Sequence, residues 1–211
     1  MATWRCGCTR NHDPQLVVLT GGPGAGKTAV LELIHHDFCE HVVVLPEAAG
    51  IIFGGGFPRR PSGVGRQAAQ RAIFRVQREL ERLALEEHAA AIILCDRGTI
   101  DGAAYWPGDA ASFFRENETS QEAELARYSA VIDLRTPPER NGYNHTNALR
   151  IESAREAAAI DATILNLWGE HPRRHIVEST ADFLEKEARA VSLVRNEVPE
   201  CCRPGRNQAR A

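Results

Sequence analysis

Eight consecutive residues, Gly21-Gly22-Pro23-Gly24-Ala25-Gly26-Lys27-Thr28, match the pattern G-x-x-x-x-G-K-[ST]. Glycines at this density let successive backbone N–H groups turn inward around a polyphosphate. A helix that starts there adds partial positive charge. Lys27 would supply a point charge to the β- and γ-phosphates, and the Thr28 hydroxyl a ligand for Mg²⁺. The bland alternative is a glycine-rich turn with a surface lysine. Composition argues against it: of 25 basic residues only Lys27 and Lys186 are lysines, so a lysine inside a motif carries more information than any arginine. All eight residues are therefore expected to hold phosphate.

Phosphate binding does not choose among motor, switch and kinase, so other polar residues matter. Asp96-Arg97 follows the apolar run Ile92-Ile93-Leu94-Cys95. An acid at the carboxyl end of such a strand sits where open α/β sheets bind ligands. Asp96 is expected to hold Mg²⁺ with Thr28, and Arg97 to face phosphate. Glu47, just after Val42–Leu45, lies at the same end and could accept the proton of a substrate hydroxyl. Otherwise it is a carboxylate at a helix start. Arg140 and Arg150 lie in a polar stretch suited to a lid that closes on the transferring phosphate. Arg59 and Arg60 lie in a Gly/Pro loop that reads equally as a substrate flap or a connector. Tyr105 and Trp106 could stack on a substrate ring or belong to the core. The histidines of His35-His36 and of His171–His175 read as surface residues.

These residues need a scaffold, and the hydrophobic pattern supplies one. Strands are expected at Gln15–Thr20, Val42–Leu45, Ala91–Cys95, Val131–Leu134 and His175–Glu178. Helices are expected at Thr28–Phe38, Arg66–His88, Ala148–Gly169 and Ala181–Val194, with short polar helices before Tyr128. Alternation of this kind predicts an α/β fold with a parallel sheet. Within the 211 residues one domain is expected, residues 15–194, between a tail at 1–14 and a loose tail at 195–211. A chain of this size buries roughly 70% of its unfolded surface without staples.

A net charge of −3 speaks against a nucleic-acid coat. No apolar run approaches membrane-spanning length, and the N-terminus lacks the apolar region of a secretory signal, so a cytoplasmic protein is expected. Cys6, Cys8, Cys201 and Cys202 could form a four-thiolate metal site only if the termini meet. Their spacings are not the usual C-x2-C pairs, and in a reducing cytosol they read as free thiols. Cys39 and Cys95 read as small core residues.

The ordered set of motifs resembles the NadR-like, TRPL-translocation-defect-protein-like family of P-loop ATP-binding proteins. That family is classed with AAA-type ATPases and is similar in build to nucleoside and nucleotide kinases. The resemblance runs from about Leu16 to Val194. It rests on Gly21–Thr28, Pro46-Glu47-Ala48-Ala49, Cys95–Gly102, Asn147–Glu152, Ala159-Ile160-Asp161 and Trp168–Arg173. It implies a three-layer P-loop fold with sheet order 2-3-1-4-5 and a bound ATP, or GTP, with Mg²⁺. It also implies a hydroxyl acceptor role for Glu47 and a phosphate-edge role for Asp96-Arg97. The expected function is a kinase that transfers a γ-phosphoryl group to a hydroxyl of a small molecule, as a monomer or homodimer. A nucleotide-dependent switch or slow NTPase acting through a partner or lipid is the alternative. A ring-forming motor would call for a further helical lid domain.

Overall fold

The computed structural model describes residues 5–87, 89–137, 153–180 and 182–203. Five strands, β1 (Gln15–Thr20), β2 (Val42–Leu45), β3 (Ile92–Asp96), β4 (Ala130–Leu134) and β5 (Arg174–Val177), form one parallel sheet in the order β2-β3-β1-β4-β5. This is the expected order. The helices are α1 (Lys27–Asp37), α2 (Ala48–Gly54), α3 (Gly63–Glu86), α4 (Ala110–Glu116), α5 (Gln121–Leu125), α6 (Ala154–Leu167) and α7 (Phe183–Glu197), with 3₁₀ turns at Thr99–Tyr105 and Glu200–Cys202.

A parallel sheet is covered on both faces, so its strands read as nearly continuous apolar runs. Strand alternation divides those runs between two cores. Leu16, Val18, Ile93 and Cys95 face one layer, with Phe74, Phe113 and Trp168. Val17, Leu19, Ile92 and Leu94 face the other, with Ile34 of α1 and Val191 and Val194 of α7. Among the described residues no helix is long and apolar enough to cross a membrane.

Three local features go beyond the sequence reading or change it. Ala48–Gly54 is helical, although its two glycines and short length hide it from periodicity. The buried face of α3 is Ala69, Phe74, Gln77, Glu81 and Ala84, with Leu80 partly buried against the same core. Its polar members are satisfied: Glu81 is ion-paired with Arg127 and accepts from the Tyr128 hydroxyl at 2.9 Å and from Gln77 at 2.8 Å. The same network reaches Thr99, whose hydroxyl donates to Glu124 at 2.7 Å, and so anchors the turn that follows Asp96-Arg97. Finally, the chain beyond Arg195 is not loose throughout. Helix α7 runs to Glu197, and Val198 and Cys202 are buried.

Candidate functional site

The phosphate-type loop leaves β1 at the carboxyl edge of the sheet. Gly21 has φ +127°, and a Cβ there would lie 2.0 Å from the Leu134 carbonyl oxygen, so the close approach to β4 requires glycine. Lys27 opens α1 but folds back, donating to the Gly21 carbonyl at 3.0 Å and the Gly22 carbonyl at 3.1 Å. Burial, with Arg97 nearby, lowers its pKa to about 8. Thr28 is exposed one residue on. Lys186 reaches the same loop from α7, donating to the Ala25 carbonyl at 2.7 Å and the Arg135 carbonyl at 2.6 Å; burial lowers its pKa to about 8. Both of the chain's lysines thus end on carbonyls of this loop. Lys186 was not foreseen as a site residue, although the scarcity of lysine was a signal.

Strand register brings the acids alongside. Leu19 pairs with Asp96 and Thr20 with Asp133. Arg97 follows at φ +70°, an uncommon conformation for a side-chain-bearing residue, with its N–H donating to the Leu19 carbonyl at 3.0 Å. Its guanidinium donates to Glu47 at 2.6 Å through Nε and to the Gly21 carbonyl at 3.1 Å, lies 3.7 Å from Asp101, and faces the Tyr105 ring at 5.7 Å. Burial opposes its charge, but Tyr105, Glu47, Asp101 and Asp96 more than compensate and keep it protonated.

Glu47 occupies the N-cap position of α2 without capping it; its carboxylate is turned to Arg97 instead. Burial pushes its pKa up, yet Arg97 and Lys27 outweigh burial and hold it below the usual glutamate value. Asp96 shows the opposite balance. Burial, reinforced by Glu47 and Asp101 against Lys27 and Arg97, raises it to about 6. Its Oδ1 is buried and has no hydrogen-bond partner among the described residues. An unpartnered carboxylate oxygen and an exposed threonine hydroxyl are hard-oxygen donors of the kind Mg²⁺ takes, so the chemistry of Asp96 and Thr28 fits that ion.

Two further acids belong to this edge and escaped the sequence reading. Asp161 of α6 accepts the Gly22 N–H at 2.9 Å and the Thr136 N–H and hydroxyl at 3.1 Å each, and pairs with Arg135 at 3.0 Å. Asp101 is buried, accepting from the Thr20 hydroxyl at 2.7 Å and the Trp168 indole at 2.6 Å. Burial raises its pKa, although Arg97 opposes that rise. Both residues stand in segments that carried the family resemblance, but spacing alone gave them no partner.

The structure therefore brings Gly21–Thr28, Glu47, Asp96 and Arg97 to one edge. Arg140 and Arg150 lie outside the described residues. Arg59 stacks on Phe53, 4.8 Å from the ring centroid. Trp106 is core, with its indole on the Ser112 hydroxyl at 2.9 Å. His171 is not a surface residue: it is buried, with Nε2 2.9 Å from the Tyr128 carbonyl.

The family model described as AAA domain matches residues 16–186. Among solved structures, the chain is similar to a NadR protein in complex with NAD and AMP-PNP, at TM-score 0.61 and 14% identity over 88% of this chain and 49% of that one. It is also similar to a NadR protein in complex with NR, at 0.65 and 16% over 89% and 52%. A thymidylate kinase from Candida albicans matches at 0.61 and 14% over 88% and 93%. The chain spans about half the length of the NadR proteins, and at these identities the likeness is one of fold. A comparison with curated protein sequences finds no match.

Proposed function

The chain belongs to the AAA domain family, and from that membership and the carboxyl-edge geometry we propose that it is a kinase. It would move the γ-phosphoryl group of Mg-ATP, or Mg-GTP, to a hydroxyl of a small molecule in the cytoplasm. One observation carries the reading: a single guanidinium, Arg97, ties the Glu47 carboxylate to the Gly21 carbonyl of the phosphate loop. A carboxylate that would receive a hydroxyl proton is thereby positioned beside the loop that would hold the donor phosphate. The fold it shares with a nucleotide-complexed NadR and with a thymidylate kinase supports the same class.

The roles follow from charge. The loop N–H groups and the Lys27 ammonium hold the β- and γ-phosphates. Asp161 fixes the loop by accepting the Gly22 N–H. Glu47, held ionised by Arg97, orients the acceptor hydroxyl and takes its proton. Its lowered pKa suits a loose transition state in which the proton leaves late. Thr28 and Asp96 would hold magnesium, which supplies charge neutralisation on the phosphate oxygens. Arg140 and Arg150 are proposed as lid cations.

The test is single-turnover transfer from γ-labelled ATP to the best acceptor in a nucleoside and sugar panel. Glu47→Gln keeps the shape and the hydrogen bond to Arg97 but removes the base. Transfer is expected to fall about 100- to 10,000-fold with Mg-ATP affinity near wild type. Full transfer by the variant, or hydrolysis with no acceptor in the wild type, overturns the reading; the second result would favour a nucleotide switch.

A further inference from the structure

At the opposite edge of the sheet the segment holding Cys6, Cys8 and His12 meets the segment holding Cys201 and Cys202. Cys6, Cys39, His41 and Cys202 direct one ligand atom each into a space where all four atoms lie within 4.8 Å of one another. Cys8, His12, Cys201 and Cys202 do the same beside it. We propose that this cluster is a two-zinc centre, each ion held by three thiolates and one imidazole, with the Cys202 thiolate bridging the pair.

The distances favour coordination over a set of weak hydrogen bonds. His41 Nδ1 lies 3.1 Å from Cys6 Sγ, 3.5 Å from Cys202 Sγ and 4.0 Å from Cys39 Sγ. One imidazole nitrogen offers one lone pair or one proton, so it cannot satisfy three sulfurs. Three sulfurs around one nitrogen are instead the corners of a coordination polyhedron. With Zn–S near 2.3 Å and Zn–N near 2.0–2.1 Å, tetrahedral edges are about 3.5–3.8 Å. The second set repeats the pattern. His12 Nε2 is 3.5 Å from Cys8 Sγ and 3.3 Å from Cys202 Sγ, and the Cys201 and Cys202 sulfurs are 4.0 Å apart. Thiolate with imidazole is a soft-to-borderline donor set, which selects zinc over magnesium or calcium.

The surroundings also suit a metal. Gly7, at φ +67°, makes the turn that lets Cys6 and Cys8 face the same cluster, and the Cys8 N–H donates to Cys6 Sγ at 3.4 Å. The His41 carbonyl accepts from Ala91 and Ile92 at 2.8 and 3.1 Å, which fixes its backbone to the start of β3. A cleft of about 240 Å³, lined in part by Cys8, His12 and His41, gives an entry path. Four protein ligands per ion leave no open coordination position, so the centre is structural. It joins the N-terminal segment, the link between α1 and β2, and the segment after α7. Binding displaces the five thiol protons to solvent and leaves the zinc–thiolate cluster with one negative charge. The nucleotide site is not involved, so the kinase reading and this one stand or fall separately.

This placement revises two sequence expectations. Cys39 is a cluster member as well as a core residue, and the terminal thiols are joined by His12 and His41, which no spacing rule had singled out.

The test is zinc content of the full-length protein after growth with zinc and gel filtration, followed by replacement with cobalt(II). Two zinc ions per chain are expected, with thiolate-to-cobalt charge transfer and the intense visible bands of tetrahedral cobalt. Cys8→Ser should reduce the content to one, Cys202→Ser should lose both, and Cys95→Ala, whose thiol lies elsewhere in the sheet, should keep two. A chelator should lower the melting temperature, because the clip closes a very long loop. Metal-free wild type, one zinc per chain, disulfides among these cysteines, or unchanged loading in Cys202→Ser would each overturn the proposal. The wild-type cobalt titration decides the matter even if a variant fails to fold.

Discussion

The two edges of this sheet use polar residues in opposite ways. At the carboxyl edge, buried charges of both signs stand close together with some atoms unmatched. Asp96 Oδ1, both oxygens of Asp133 and one Arg135 nitrogen have no partner among the described residues. Burial raises Asp96 and Asp133 to about 6. At the amino edge every side chain of the cluster is directed at its neighbours. An edge with unmet charges suits a ligand that arrives and leaves, since each turnover must break what binding made. A closed set of soft ligands suits an ion that stays. On the two proposals, one fold keeps exchange apart from anchoring by placing them at opposite ends of the same strands.

The largest effect that would sharpen this contrast comes from Lys27→Ala. Removing the ammonium should raise the Kd for Mg-ATP about 100-fold, roughly 3 kcal/mol, in a calorimetric titration. Zinc content should not change. Unchanged nucleotide affinity would break the assignment of this edge to phosphate.

Next comes Asp161→Ala, which strips the acceptor from the Gly22 N–H and leaves Arg135 without its carboxylate. A loss of about 2–3 kcal/mol in urea unfolding is expected, because a buried loop N–H and a partly buried guanidinium lose their shared partner. Nucleotide affinity should fall with it. Full stability would show that the loop keeps its shape without α6.

The smallest effect has the opposite sign. A carboxyl with a raised folded pKa binds its proton more tightly when folded. Its stabilising contribution is present below about pH 4 and is lost as pH rises through about 6. Asp96→Asn should therefore stabilise the nucleotide-free protein at pH 7 by about 1–3 kcal/mol and flatten the stability slope between those pH values. Asp133 would keep part of that slope. The same variant should lose magnesium-dependent transfer. A destabilised Asp96→Asn protein would mean that the carboxylate serves the fold and not a ligand.

Much of the carboxyl edge was legible because its signals are local. The Gly21–Thr28 loop needs only a preceding strand and a following helix. The strand Ile92–Asp96 announces its own end with a charge. The sheet order came from the resemblance, and the paired registers agree with it. The αβ alternation, the phosphate-type loop and the acids at the strand ends are therefore readable from the chain alone, because hydrogen bonding and side-chain periodicity within a few residues decide these.

The partnerships between distant residues emerge only on folding. Glu47 meets Arg97 across 50 residues, Gly22 meets Asp161 across 139, Lys186 meets Ala25 across 161, and His12 meets Cys202 across 190. Chain entropy opposes each closure, and no local pattern records which distant group will satisfy a buried charge or thiol. Packing two helical layers onto one sheet settles that choice, since only then do the strand ends, the loop and the segments around His12 and Cys202 come within bonding distance.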